Sequence, residues 1–441
     1  CSPMHARTKR RTRIDLNQQL VLVLLRHCLP GRLDEDVIDR KRFEVIVVDR
    51  NNYHSFPPLF YQVASAGLEP ASISFPFRRE MRKKRIKGVK YNYGCVKTID
   101  LARRCVVTQF ETVPFDKLVI AAGTTNNFFG NTGLREHVYT LKSTSEALRC
   151  RNAVLERLER ASVSSDPHER RRLLTFVVIG GGPTGVEMAG ALGEMKRYII
   201  KREYPRIRPE EVRIILLEGS PCLLGAMSAK AQHDALRDLG SLMVDVRLGT
   251  LMKSYEDGVI TLADGTTIDS ETVIWTAGIT GTLFEIVGSD LRQGPGGRFV
   301  TDDCCRVEGA EGVYALGDIG IHITDDHPRG LPQLAQVAIQ QGVYLAKCLS
   351  AGKFERPFRY RDKGTMATIG RNRAVVDMGR IHVGGLAAWL MWMFVHLMSL
   401  LGMRNRVIVL INWIWSYFTF NTSLRLLIIA ARLPRRRGPE E

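Results

Sequence analysis

Residues 176–193 read FVVIGGGPTGVEMAGALG, a β-branched apolar run that breaks into glycines and then resumes at helical spacing. Strand, tight turn and helix in direct succession leave few folds open, and a parallel α/β sheet accommodates all three. Gly180, Gly182 and Gly185 form the pattern GxGxxG. The first permits the turn, the second lets backbone approach a pyrophosphate, and the third lets the helix pack on the strand. Phosphate oxygens then meet the helix N-terminus. A second apolar run, residues 212–217, ends at Glu218. A carboxylate there accepts from a ribose 2′-hydroxyl and repels a 2′-phosphate, so NAD is expected over NADP. The basic, proline-containing segment 196–211 accounts for the long interval between Gly185 and Glu218.

A chain of 441 residues is expected to hold two or three domains. Lys and Arg number 63 against 46 Asp and Glu, a net charge of +17 that suits an acidic partner such as nucleic acid or anionic lipid. The charge concentrates in residues 78–90 and in a C-terminal tail, with no aromatic stacking platform beside either, so nucleic acid is set aside. Nine scattered cysteines without a CxxC read as reduced thiols, and the adjacent pair Cys304 and Cys305, placed in a strand, reads as structural. Ten histidines without HxxxH spacing predict no metal site.

Residues 43–49, FEVIVVD, form a strand ending in an acid, Asp49, as the second strand of another dinucleotide-binding unit would. Gly31 is the one glycine before residue 41, so the expected upstream GxGxxG is missing. Residues 20–25 offer a short apolar run beside Pro30, which leaves the central strand of that sheet unaccounted for. The basic run 7–13 precedes no small-residue cleavage site, so no clean secretory signal is read. Residues 1–40 are taken as a frameshifted or divergent segment, with the native reading starting near residue 40.

Residues 117–123, KLVIAAG, and 272–278, TVIWTAG, have the same shape and end at Gly123 and Gly278, as matched parts of a duplicated unit would. Residues 312–318, GVYALGD, form a third such strand, ending at Gly317 and Asp318. A helix follows over 331–345, carrying Gln336 and Gln340 on one face. Residues 360–374 read as turn and strand. Composition then shifts: 384–403 is almost uncharged and long enough by hydropathy to span a bilayer, Arg404 and Arg406 interrupt, and 407–420 is shorter and aromatic. Arg425, Arg432 and Arg435, Arg436 and Arg437 complete a basic tail that would draw the chain to anionic lipid. Helices lying in the interface are preferred to a spanning helix. An apolar dimer face also explains the first stretch, and a homodimer stays open.

The segments GGGPTGVEMAGAL from Gly180, AQVAIQQG from Ala335 and FPPLFYQVASAGL from Phe56, with the tryptophan-rich C-terminal region, resemble the type II NADH dehydrogenases over about residues 41–432. These are non-pumping NADH:quinone oxidoreductases of the two-dinucleotide-binding-domain flavoprotein superfamily. The resemblance implies an α/β fold with two Rossmann-like domains. FAD would occupy a discontinuous domain, 41–145 and 281–355, and NADH an inserted domain, 146–280. Residues 356–441 would bind the membrane through amphipathic helices. It also implies that Asp49 binds the FAD ribose, that Gly123, Gly317 and Asp318 line the flavin site, and that Gly180, Gly182, Gly185, Glu218 and Gly278 hold NADH. Glu187 would sit near the nicotinamide, and Gln336 and Gln340 at the quinone end of the flavin. The implied reaction is ping-pong, NADH to FAD to a quinone, at the cytoplasmic face of the cell membrane. Two other readings remain: a sulfide:quinone reductase, against which the scattered thiols argue, and a flavin-free NADH-binding membrane-associated protein that has lost its first nucleotide site.

Overall fold

A computed structural model of the chain describes residues 18–23, 43–82, 89–131, 133–419 and 424–427. Its contacts divide it into two compact units. The first comprises Cys1–His54, Pro76–Thr124 and Gly281–Tyr360, and the second Ser55–Phe75, Thr125–Thr280 and Arg361–Glu441. By compactness, residues 55–75, 125–145 and the C-terminal region group with the nucleotide loop of residues 180–185.

In the first unit a five-stranded sheet runs in the order Val313–Ala315, Lys117–Ile120, Gln18–Val23, Phe43–Asp49, Val89–Tyr93. All neighbours are parallel. The central strand is therefore present: Gln18 pairs with Phe43 on one side and Leu20 with Lys117 on the other. Its apolar run was too short and too poorly flanked to be read as a strand by itself; two neighbours supply the hydrogen bonds that define it. The turn that would follow it lies outside the described residues. The Phe43–Asp49 strand is buried at six of seven positions, the near-continuous burial that parallel strands covered on both faces require. Residues 96–114 supply a separate antiparallel meander, with Val96 opposite Thr108 and Cys105 opposite Pro114.

Cys304 and Cys305 lie in a turn, not in a strand. Asp302 Oδ1 accepts the N–H groups of Cys304 at 2.8 Å and Arg306 at 2.9 Å, and this side-chain turn carries Cys305 into the left-handed region at φ +62°.

In the second unit another parallel sheet runs Tyr139–Thr140, Thr272–Trp275, Thr175–Ile179, Arg213–Leu217, Val244–Arg247. The chain moves outward from the Thr175–Ile179 strand on one side and returns to its other side at Thr272. The strand order thus reverses between these two strands, which is where open α/β sheets bind nucleotides. Helix Pro183–Glu194 begins with proline at its first position, where an N–H is not needed, and buries Val186, Met188, Ala189 and Leu192. Val186, Met188 and Leu192 each contribute about 1.5–3 kcal/mol relative to exposure.

A three-stranded antiparallel sheet, Thr365–Gly370, Arg373–Met378 and Ile381–Gly384, packs on that helix. Gly185 and Gly190 make this double packing feasible: a Cβ at Gly185 would lie 1.8 Å from the Gly180 carbonyl oxygen, and one at Gly190 1.8 Å from that of Ile369. Helices Gly385–Ser399 and Met403–Thr419 follow. The apolar stretch 384–403 is thus broken before it reaches spanning length, Gly402 turning the chain at φ +78°. No helix among the described residues is long and apolar enough to cross a membrane.

Candidate functional site

The Thr175–Ile179 strand delivers Gly180, Gly182 and Gly185 to the carboxyl edge of the sheet, and helix Pro183–Glu194 starts there with Gly182 as its cap. The neighbouring Arg213–Leu217 strand delivers Glu218. One carboxylate oxygen of Glu218 accepts the N–H of Gly181 at 2.5 Å and the other that of Ser220 at 2.6 Å. The glycine loop and the acid are therefore one hydrogen-bonded assembly, an arrangement that fits an adenosine ribose beside a pyrophosphate. Gly278 closes the same edge just after the Thr272–Trp275 strand.

Glu187 lies apart from these residues, none of which lines its cavity. It is 8 % exposed and lines a cavity of about 170 Å³ together with Tyr61, Glu194, Arg371, Trp392 and Trp413. Burial pushes its carboxyl up to about 8, so it is mostly protonated at neutral pH, while the Thr368 backbone opposes the shift. Burial raises Glu194 as well, against a hydrogen bond from the Arg371 backbone N–H. The Trp392 indole N–H faces Glu187 without completing a full hydrogen bond. An uncharged, buried carboxyl cannot be there to complement the helix dipole, the ordinary reason for an acid near a helix start.

Tyr61 stands near both acids, and burial with their charges raises its phenol well above the usual range. Its oxygen accepts from Gln62 Nε2 at 2.8 Å, while Gln62 Oε1 accepts from Trp413 Nε1 at 2.9 Å. The two amide ends of Gln62 are thereby assigned, and the phenol keeps its own proton to donate. A π-helical segment, Met195–Ile200, directly follows the Glu187 helix and sends Tyr198 and Ile199 to the same cavity. Tyr61 and Gln62 belong to the segment FPPLFYQVASAGL, which carried the family resemblance but gave neither residue a role; for Glu194 the helix spacing from Glu187, seven apart on one face, was the available signal.

In the first unit Asp49, Gly123, Gly317 and Asp318 all lie at carboxyl ends of parallel strands. Asp49 is 3 % exposed and accepts the Asn51 N–H at 2.7 Å. Gly123 and Gly317 take φ of +64° and +66°. Such backbone turns at a switch point, with an acid at the end of the second strand, suit the FAD that this fold family implies. Gln336 and Gln340 are half-buried on helix Ala335–Ala351, whereas Gln341 is fully buried and bonds Gly317. Buried Arg298 also holds this turn, donating to the Asp318 carbonyl oxygen at 2.9 Å.

Two parallel sheets with nucleotide-binding edges, one of them carrying GxGxxG and its acid, define a pyridine-nucleotide oxidoreductase. Residues 36–342 match the pyridine nucleotide-disulphide oxidoreductase family, and residues 363–420 match the NDH2 C-terminal domain. A type II NADH:quinone oxidoreductase of Mycobacterium tuberculosis is 35 % identical over 85 % of this chain and 83 % of its own. An internal alternative NAD(P)H-ubiquinone oxidoreductase of Arabidopsis thaliana is 29 % identical over 86 % and 80 %. The structure of NDH2 from Plasmodium falciparum in complex with NADH superposes with a TM-score of 0.81 at 19 % identity, over 93 % of this chain and 100 % of that one, a likeness of fold. The chain belongs to the type II NADH:quinone oxidoreductase family.

Proposed function

We propose that this chain oxidises NADH and reduces a quinone through FAD without moving protons across a membrane. The observation that carries the reading is the single assembly of Gly180, Gly182, Gly185 and Glu218, which selects NADH, in a chain whose 35 % identical relative is named for that activity. FAD, when bound, would supply the hydride-accepting and electron-transferring chemistry between NADH and a quinone. The glycine loop and helix N-terminus bind the pyrophosphate, and Glu218 orients the ribose. Asp49 would hold the FAD ribose, while Gly123, Gly317 and Asp318 would shape the flavin site. Gln336 and Gln340 offer amide N–H groups to the quinone oxygens. Glu187, neutral near pH 7, holds a proton in the cavity that Tyr61, Glu194 and Trp392 also line. The sulfide and flavin-free readings lose support to this family membership.

The C-terminal helices present Phe394, Met398, Met403, Ile411, Trp415 and Phe418 to solvent, with Trp415 61 % and Phe418 76 % exposed. Such a face suits a lipid interface, where tryptophan sits at headgroup level and a lipid-soluble quinone is met. We place it on the cytoplasmic leaflet, with anionic headgroups as partner; a homodimer would compete for the same face. The basic residues beyond 427 lie outside the described residues.

The test is the visible spectrum of the purified chain under anaerobic conditions. NADH should bleach an oxidised-flavin band and a short-chain quinone should restore it. A folded chain without a flavin band contradicts the proposal.

A further inference from the structure

The loop ahead of Gly130 folds over the carboxyl edge of the sheet that carries GxGxxG. Asn127 anchors it three ways. Its N–H donates to the Gly278 carbonyl oxygen at 3.2 Å, its own carbonyl accepts from Trp275 Nε1 at 3.1 Å, and its Oδ1 accepts the Phe129 N–H at 2.8 Å. Phe129 is thereby held in the left-handed region at φ +51° with 69 % of its surface exposed. A large aromatic residue is ordinarily neither left-handed nor exposed, and backbone strain of this kind collects at ligand-binding positions.

The ring rests on Gly278, where a Cβ would lie 2.5 Å from Phe129 Cζ. Trp275, 5 % exposed, packs below, with ring centroids 6.3 Å apart, and Phe128 covers the same indole at 5.6 Å. Phe128 is thus the nearer of the two rings to Trp275. Phe129 keeps one open ring face at the edge of the sheet.

The strand order gives this face its ligand. A dinucleotide bound at the switch point lays its adenosine half over the Arg213–Leu217 strand, where Glu218 waits, and its other half over the strand across the reversal, Thr272–Trp275. Gly278 and Phe129 stand at the end of that second strand. We propose that Phe129 is a nicotinamide-contact residue, whose exposed ring packs on the nicotinamide riboside half of NADH and fixes its position for hydride loss. The inference rests on the NADH reading above.

Calorimetric titration of the full chain with two ligands tests it: 1,4,5,6-tetrahydro-NAD, which has the shape of NADH but gives no hydride, and ADP-ribose, which lacks the nicotinamide. Phe129→Ala should weaken the tetrahydro ligand about tenfold, the value of one aromatic contact, and leave ADP-ribose unchanged. Phe129→Tyr should restore the affinity. Phe129→Leu keeps apolar bulk over Gly278 and serves if the alanine variant does not fold; it should lose the tetrahydro ligand's affinity selectively as well. Equal binding of the tetrahydro ligand by wild type and variants, or an equal loss for both ligands, overturns the inference. Failure of the wild type to bind ADP-ribose overturns the NADH reading itself.

Discussion

The side-chain oxygen of Gln341 accepts the backbone N–H of Gly317 at 2.7 Å, with both residues buried. This bond ties the turn after the Val313–Ala315 strand to helix Ala335–Ala351, so the turn's shape is set by a helix that follows it. Replacing Gln341 with Leu leaves the N–H without a partner, and a buried orphan donor costs about 1–3 kcal/mol. The urea midpoint of Gln341→Leu should fall accordingly; an unchanged midpoint would show that water or another group satisfies Gly317.

Glu187→Gln should change stability in a pH-dependent way. The carboxyl rises from its ordinary value of 4.5 to about 8 on burial, so between these two values the folded chain holds more protons than the unfolded one. Stability from this group is intact below about pH 4.5 and is lost as pH rises to 8 and beyond. Glutamine carries no such penalty. The variant's advantage in urea midpoint over wild type should therefore grow from pH 5 to pH 9, and a constant difference would place the titration elsewhere.

Gly190→Ala should break the grip of the C-terminal sheet on helix Pro183–Glu194, because the new methyl group meets the Ile369 carbonyl oxygen at 1.8 Å. The backbone must move, at about 3 kcal/mol or more. Limited proteolysis should cut the variant faster between residues 361 and 384, while the glycine loop still binds ADP-ribose.

Glu218→Arg should turn the nucleotide preference toward NADPH. Removing the acid loses a charge-assisted bond to the ribose and the repulsion of a 2′-phosphate, together about 10- to 100-fold in the ratio of kcat/KM values. Steady-state kinetics with both nucleotides decide it.

The double change Trp415→Ser and Phe418→Ser removes two of the most exposed apolar side chains of the Met403–Thr419 helix. Each is worth about 1.5–3 kcal/mol when buried in an apolar phase, so co-sedimentation with anionic lipid vesicles should drop by at least tenfold. Retention of vesicle binding would assign these side chains to a homodimer instead, which sedimentation velocity would detect.

The parts of this protein legible in the sequence are those written within one segment. The turn of Gly180, Gly182 and Gly185, the acid at Glu218 and the buried runs of both parallel sheets depend on neighbours a few residues away, so local pattern sufficed. The central strand Gln18–Val23 escaped notice because its identity comes from Phe43 and Lys117 on either side. Gln341, and not Gln340, became the buried strut, since adjacent helix positions face different directions and only packing selects one. The protonation of Glu187 comes from its enclosure beneath Trp392 and beside Thr368, both far along the chain. Sequence alone determined the nucleotide-binding elements and the family; tertiary structure decided which polar groups are buried, because desolvation is a property of everything packed around a group and not of the segment that carries it.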